Sequence, residues 1–376
     1  MPNQPSTLGP GTLEALKSLA QAKTGEAKRS LFAQMSHLAF GSNSVMAPGE
    51  RAATADILLG LLSYAAPEAR GELARLISAG QELPPQLLRA LAFDDFSIAQ
   101  PILERCAELS DDDIIELLRE GSDAHRVAIT GRAGLSERVS SEIVALDDIE
   151  LIERLAANKS ARIDAATFGE MATKSQASPL LCKLMLSRAD VPSIVAHRMF
   201  WWVKGPLRKQ ILSRHLTELQ DLEETLEDAF RSGLARRPEA GGLRRFLDFV
   251  AAQDYVPVCG LIDVLREGSL GRFAEALGER LGIDADTARR IVRDTGGEAI
   301  AMACRAMRAE KGQFINIFFL TDYLRFGKAR PLSDLKHVET IYDIVSQSRA
   351  KASVALWACI NQAEQACASP EAFDSN

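Results

Sequence analysis

The densest aromatic and basic cluster in this sequence is Phe200-Trp201-Trp202-Val203-Lys204, followed by Arg208 and Lys209, in a chain that has only three tryptophans. Adjacent positions on a helix point about 100° apart, so one indole is free to enter a core while its neighbour reaches the surface. Trp and Arg dominate the energetics of protein interfaces, and cations pair with aromatic faces. Trp202, Lys204 and Arg208 are therefore the candidate residues for binding a protein partner. Packing between helices, with a basic edge left exposed, accounts for the same letters and stays open.

A second constellation runs from Leu277 to Arg293. Leu281-Gly282-Ile283 has the composition of a tight turn, Asp284 of a helix cap, and Thr287, Arg289, Arg290 and Arg293 lie on the helix that follows. That order is the one a helix-turn-helix uses to place a recognition helix in a DNA groove, and it defines the alternative reading: a DNA-binding or nucleotide-responsive regulator acting through residues 277–293. Glu275, Glu279, Asp284, Asp286 and Asp294 surround these arginines and oppose a polyanion. A helical hairpin with a glycine C-cap gives the same pattern.

Other chemistry finds little support. The five histidines are dispersed, without an H-E-x-x-H pair, and His125 beside Arg126 suits a structural hydrogen-bonding role. Asp111-Asp112-Asp113 and Asp147-Asp148 fall where helices begin, where carboxylates complement the helix dipole. No G-x-S-x-G, no Cys with a neighbouring His and no phosphate-binding glycine loop occurs, and the six cysteines form no C-x-x-C. The sequence thus points to no catalytic residue, no metal ligands and no cofactor, and to a reducing cytoplasm. A net charge of −7 argues against a protein that coats nucleic acid.

The elements that must position these residues are helices. With 47% hydrophobic residues, 6% aromatics and no alternating β-branched run, the 376-residue chain reads as all-α. No run is long enough for a membrane span, and Met1 to Gly11 carry no visible secretory signal, so none is expected. An apolar residue followed by a turn-former recurs at Leu83-Pro84, Leu109-Ser110, Leu135-Ser136, Ile163-Asp164 and Val191-Pro192, every 26 to 28 residues. Eight positions after each start stands Leu91, Leu117, Ile143, Met171 or Met199. Each unit predicts a capped helical hairpin that buries its faces only by stacking, which makes an α-solenoid. The expected organisation is a disordered N-terminus over 1–11, the repeat domain over 12–214, an acidic helix and linker over 215–242, a C-terminal helical domain over 243–367, and a disordered tail over 368–376.

Within the repeats, Leu91-Ala92-Phe93-Asp94-Asp95, Ala99 to Glu104, Leu109 to Ile115, and His125 to Ile129 resemble the bacterial family known as domain of unknown function 2336, as do Phe200 to Val203 with Leu207-Arg208. Leu261-Ile262 and Gly297 to Ala306 are similar to its C-terminal half. The resemblance covers residues from about Glu50 to Trp357. It implies helical repeats like HEAT or leucine-rich-variant repeats and supplies no reaction. The expected function is a non-enzymatic, regulatory interaction or scaffold module whose repeat surface binds a protein partner, with its oligomeric state left open.

Overall fold

The computed structural model describes residues 24–41, 48–78, 85–235, 258–328 and 332–368. Among these residues the regular structure is twenty-one α-helices and three 3-10 turns, without a strand. The protein is all-α, and it divides into two compact units, one ending at Ile163 and one starting at Asp164. The expected disordered N-terminus (1–11), most of the tail (369–376) and the linker at 236–242 lie outside the described residues.

The first unit opens with α1 (Gly25–Phe40), capped by the Thr24 hydroxyl, and a hairpin of α2 (Pro48–Leu61) and α3 (Pro67–Ser78). Three further hairpins follow: α4 (Pro85–Ala92) with α5 (Phe96–Arg105), α6 (Asp111–Glu120) with α7 (Asp123–Thr130), and α8 (Glu137–Ala145) with α9 (Ile149–Ala157). Equivalent helices of successive hairpins pack on one another: α2 on α4, α3 on α5, α5 on α7, α6 on α8 and α7 on α9. The caps explain the starts. Ser110 and Ser136 are extended, and their hydroxyls accept from the amides of Asp113 and Val139. Leu109 and Leu135, just before the caps, are buried, and Leu91, Leu117 and Ile143 sit in the core. Leu83-Pro84 falls outside the described residues.

Polar rungs tie the hairpins together at the ends of their second helices. The buried Arg132 guanidinium donates to the carbonyls of Leu103 and Cys106, the latter at 2.6 Å. Twenty-six positions on, Asn158 Nδ2 donates to Thr130 O at 3.0 Å and Arg132 O at 2.7 Å. These donors satisfy carbonyls that a helix end leaves without partners. Asn158→Ala is expected to cost about 1–3 kcal/mol in urea denaturation, because it strands two half-buried acceptors. A loss of about 0.5 kcal/mol or less, typical of a surface change, would show the rung to be dispensable. In α7 the buried residues are His125, Ile129 and Thr130, whereas Ala124 is exposed. His125 is a junction residue, its Nδ1 2.8 Å from Ser122 Oγ and its Nε2 3.1 Å from Asp94 O.

The second unit begins with two hairpins of the same kind, α10 (Ala165–Lys174) with α11 (Pro179–Leu186), and α12 (Ser193–Met199) with α13 (Pro206–Arg214). Asp164 caps α10 through the Thr167 amide, and Met171 and Met199 are buried at the repeat positions. The acidic helix α14 (Leu222–Arg231) packs on α12. Seven helices complete the unit: α15 (Cys259–Arg266), α16 (Leu270–Leu281), α17 (Ala285–Arg293), α18 (Glu298–Ala306), α19 (Lys311–Phe326), α20 (Leu332–Ile344) and α21 (Gln347–Ala368). The last of these packs on α12, α17 and α18. Sequence periodicity puts a domain boundary at 215–242. The compact unit instead runs from Asp164 through the C-terminal helices, because α21 holds α12 of the last repeat hairpin and the downstream helices in one core.

Candidate functional site

Trp201 to Gly205 and Arg208 form one side of a cleft of about 540 Å³ in the second unit, and Asp286, Arg289, Arg290, Arg293 to Gly296 and Glu298 form the other. The two residue groups that the sequence offered as rival sites therefore face the same space.

The floor of the cleft is an ion network. Arg208, on the first turn of α13, points inward and is buried. Its Nη1 donates to Asp294 Oδ1 at 2.6 Å and to Glu298 Oε2 at 2.9 Å, and its Nε donates to the carbonyls of Phe200 (3.1 Å) and Val203 (2.9 Å). The guanidinium also lies over the Phe200 ring, 4.5 Å from its centroid. Burial works against its charge, but the charges and hydrogen bonds of Asp294 and Glu298 outweigh it and push its pKa above the ordinary arginine value. Asp294 Oδ2 in turn accepts from the amides of Gly297 (3.0 Å) and Ala299 (3.3 Å), closing the start of α18. A Cβ at Gly296 would overlap Glu298 Oε2 and Arg208 Nη1, and Gly297 has φ +89°, so this turn requires its glycine pair. His337 Nε2 stands 3.3 Å from Glu298 Oε1 without hydrogen-bond alignment.

The wall is aromatic. Trp201 and Trp202 lie in the turn after α12, not on the helix that their spacing suggested. Trp201 is 5.4 Å from Phe200 and 5.2 Å from the fully buried Trp357 of α21, centroid to centroid. Its ring is covered by Arg290, whose Cζ is 4.5 Å from the centroid. Arg290 Nη1 is committed further, to Glu364 Oε2 at 2.8 Å and Asn361 Oδ1 at 3.2 Å. Trp202 donates its Nε1 to the Ser175 hydroxyl at 3.2 Å, and among the described residues no ring or cation stacks on it.

The candidate residues thus separate by role. Arg208, expected at the partner surface, is an internal clamp, because two buried carboxylates and two carbonyls compete successfully for its donors. Thr287, expected on a recognition face, is fully buried; its hydroxyl donates to Asp284 Oδ2 at 2.7 Å and its amide to Oδ1 at 2.8 Å. It completes the cap of α17 and has no route to a base edge. Arg290 is spent on Trp201 and Glu364. Arg289 pairs with Asp286 on its own helix. Lys204 and Arg293 are exposed, and their side chains make no hydrogen bond or ion pair among the described residues. Sequence reasoning missed Trp357, Glu298 and Ser175, which carry no local signature. It saw Asp294 only as a charge opposing DNA.

The turn at Gly282, with φ +64°, does join α16 to α17 as a tight helical pair. Among the described residues no group of three or more His, Cys, Asp and Glu is placed to hold a metal ion, and no helix is long and apolar enough to cross a membrane. Cys106, Cys182, Cys304 and Cys359 are buried thiols outside any disulfide.

No curated protein and no solved structure matches the chain. One family model does, described as an uncharacterised protein conserved in bacteria, and its match takes in the last four repeat hairpins, the cleft and the first part of α21. With residues 98–355 matched, well over half of its length, the chain belongs to this bacterial family, domain of unknown function 2336.

Proposed function

We propose that the protein is a non-enzymatic, regulatory interaction module of the bacterial cytoplasm, and that its cleft receives an acidic segment of a protein partner. The observation that carries this reading is the convergence of the tryptophan pair with a row of basic residues, of which Lys204 and Arg293 have no counter-ion among the described residues. Exposed cations beside an indole anchor are the composition of interface hot spots and of acidic-motif recognition. Stacked hairpins provide the rigid frame such a site requires, and the buried thiols suit a reducing compartment.

Affinity purification of the intact protein from native lysate tests the proposal. A stoichiometric protein partner is expected with the wild type and is expected to be lost with Lys204→Glu/Arg293→Glu, both exposed positions whose reversal leaves the thermal transition in place. Arg208→Glu is unsuitable, since it adds a third carboxylate to a buried pair. A partner retained by the charge-reversed protein would overturn the assignment of the cleft.

The hairpin of α16 and α17, with Arg289 and Arg293 on its exposed side, supports duplex DNA as the second reading. It requires salt-dependent duplex binding that weakens in Arg289→Ala/Arg293→Ala; a flat anisotropy titration at low salt rejects it.

A further inference from the structure

The cleft contains three groups that the fold itself leaves unengaged: the face of the Trp202 ring, whose Nε1–H alone is held by Ser175, and the cations of Lys204 and Arg293. Every comparable group nearby is committed. Trp201 lies under Arg290, Arg290 is held by Glu364, and Arg208 is neutralised from below. Arg289 is an exchangeable member of the set, since the Asp286 pair that holds it is half exposed and open to competition by a stronger anion. The start of α18 does not serve as an anion site, because Asp294 already accepts from its amides. An anion in this space is therefore held by side chains, with an unstacked indole beside it. The volume of about 540 Å³ lies inside the range of roughly 300–1,000 Å³ found for small-ligand pockets.

We infer that the cleft binds a nucleoside phosphate, with its ring stacked on Trp202 and its phosphates paired with Lys204 and Arg293, and that this ligand regulates the entry of the partner's acidic segment. The regulatory half rests on the partner reading above; the binding half stands without it. A planar heterocycle uses the indole face that a carboxylate leaves empty, and a polyphosphate occupies both cations at once. Because Trp202 is one of three tryptophans, and Trp201 and Trp357 are packed in the core cluster, ring stacking quenches a separable part of the intrinsic fluorescence.

The test titrates the full chain with ATP, following tryptophan fluorescence and calorimetry, with adenosine and pyrophosphate as separate arms. ATP is expected to bind saturably and to quench; Trp202→Phe is expected to abolish the quench, and Lys204→Ala/Arg293→Ala to weaken affinity at least about tenfold. Adenosine and pyrophosphate are each expected to bind more weakly than ATP. Circular dichroism melts verify that the variants fold, and all substituted side chains lie at the cleft surface. Absence of saturable ATP binding overturns the inference, as does binding indifferent to Lys204→Ala/Arg293→Ala. Pyrophosphate as tight as ATP overturns the ring contact, and a DNA duplex that displaces ATP at lower concentration overturns the mononucleotide assignment. Added ATP is expected to release the purified partner. ATP bound with the partner retained overturns the regulatory half alone, whereas partner loss in Lys204→Glu/Arg293→Glu without any ATP binding overturns this inference and leaves the interaction reading standing.

Discussion

Arg208→Ala is expected to destabilise the second unit by about 3–5 kcal/mol, the cost of removing one partner from a buried ion pair. The side chain joins α13 to the turn before α18 and is almost completely removed from solvent, as are Asp294 and Glu298. Its loss leaves two carboxylates facing each other without a cation, and two carbonyls, of Phe200 and Val203, without their donor. Removing one of those negative charges should recover part of the loss: Arg208→Ala/Glu298→Gln is expected to be more stable than Arg208→Ala. Arg208→Lys should remain well below wild type, because a single ammonium cannot reproduce the fork that reaches two carboxylates and two carbonyls. Urea denaturation of the four proteins measures this. A loss under about 1 kcal/mol in Arg208→Ala would place the network among surface pairs of little consequence.

Acid should loosen the same unit through a buried histidine. His197 is fully buried, and burial brings its pKa down to about 4, only partly opposed by the hydrogen bond its Nε2–H donates to His215 O at 3.2 Å. Its Nδ1 has no partner and its ring lies edge-on to Trp357, so the imidazole is neutral in the folded protein. In the unfolded chain it accepts a proton near pH 6.5. The depressed folded value therefore means that stability from this group is fully present above pH 6.5 and is lost progressively as pH falls toward 4. From the interval between the two values the loss amounts to about 3 kcal/mol. His215, also depressed by burial and by the neighbouring Arg214, acts in the same sense. His197→Gln, which keeps an amide donor for His215 O, should flatten the stability curve between pH 6.5 and 4. An unchanged slope would exclude His197 as its source.

The repeat frame was legible because it is written in local chemistry. Ser110, Ser136 and Asp164 are caps that need only the next three residues, and Leu117, Ile143 and Met171 mark a period that survives without any knowledge of packing. The cleft was legible only in halves. Trp202 and Lys204 were marked by composition and Arg293 by its place on α17, but their meeting depends on the path of the chain over some ninety residues, which no spacing encodes. Arg208 was misplaced for the same reason: an arginine beside two tryptophans reads as a contact residue until Asp294 and Glu298 appear beneath it. Thr287 was misplaced because a residue three positions after a cap residue can serve the cap or face solvent, and only packing decides. The boundary at 215–242 followed the loss of periodicity, whereas the compact unit follows Trp357, a single residue far downstream.

That distance has a consequence for the birth of the molecule on the ribosome. In the first unit each hairpin meets its neighbour within about one repeat, so its core is complete almost as soon as it emerges. The aromatic core of the second unit waits for Trp357, 157 residues after Phe200. At ordinary elongation rates of about 5–20 residues per second, roughly 10–30 s pass with Phe200 and Trp201 uncovered. During that interval the nascent chain is a natural client for chaperones, and a message broken before α21 yields a folded first unit carrying an unclosed second one, a product marked for proteolysis.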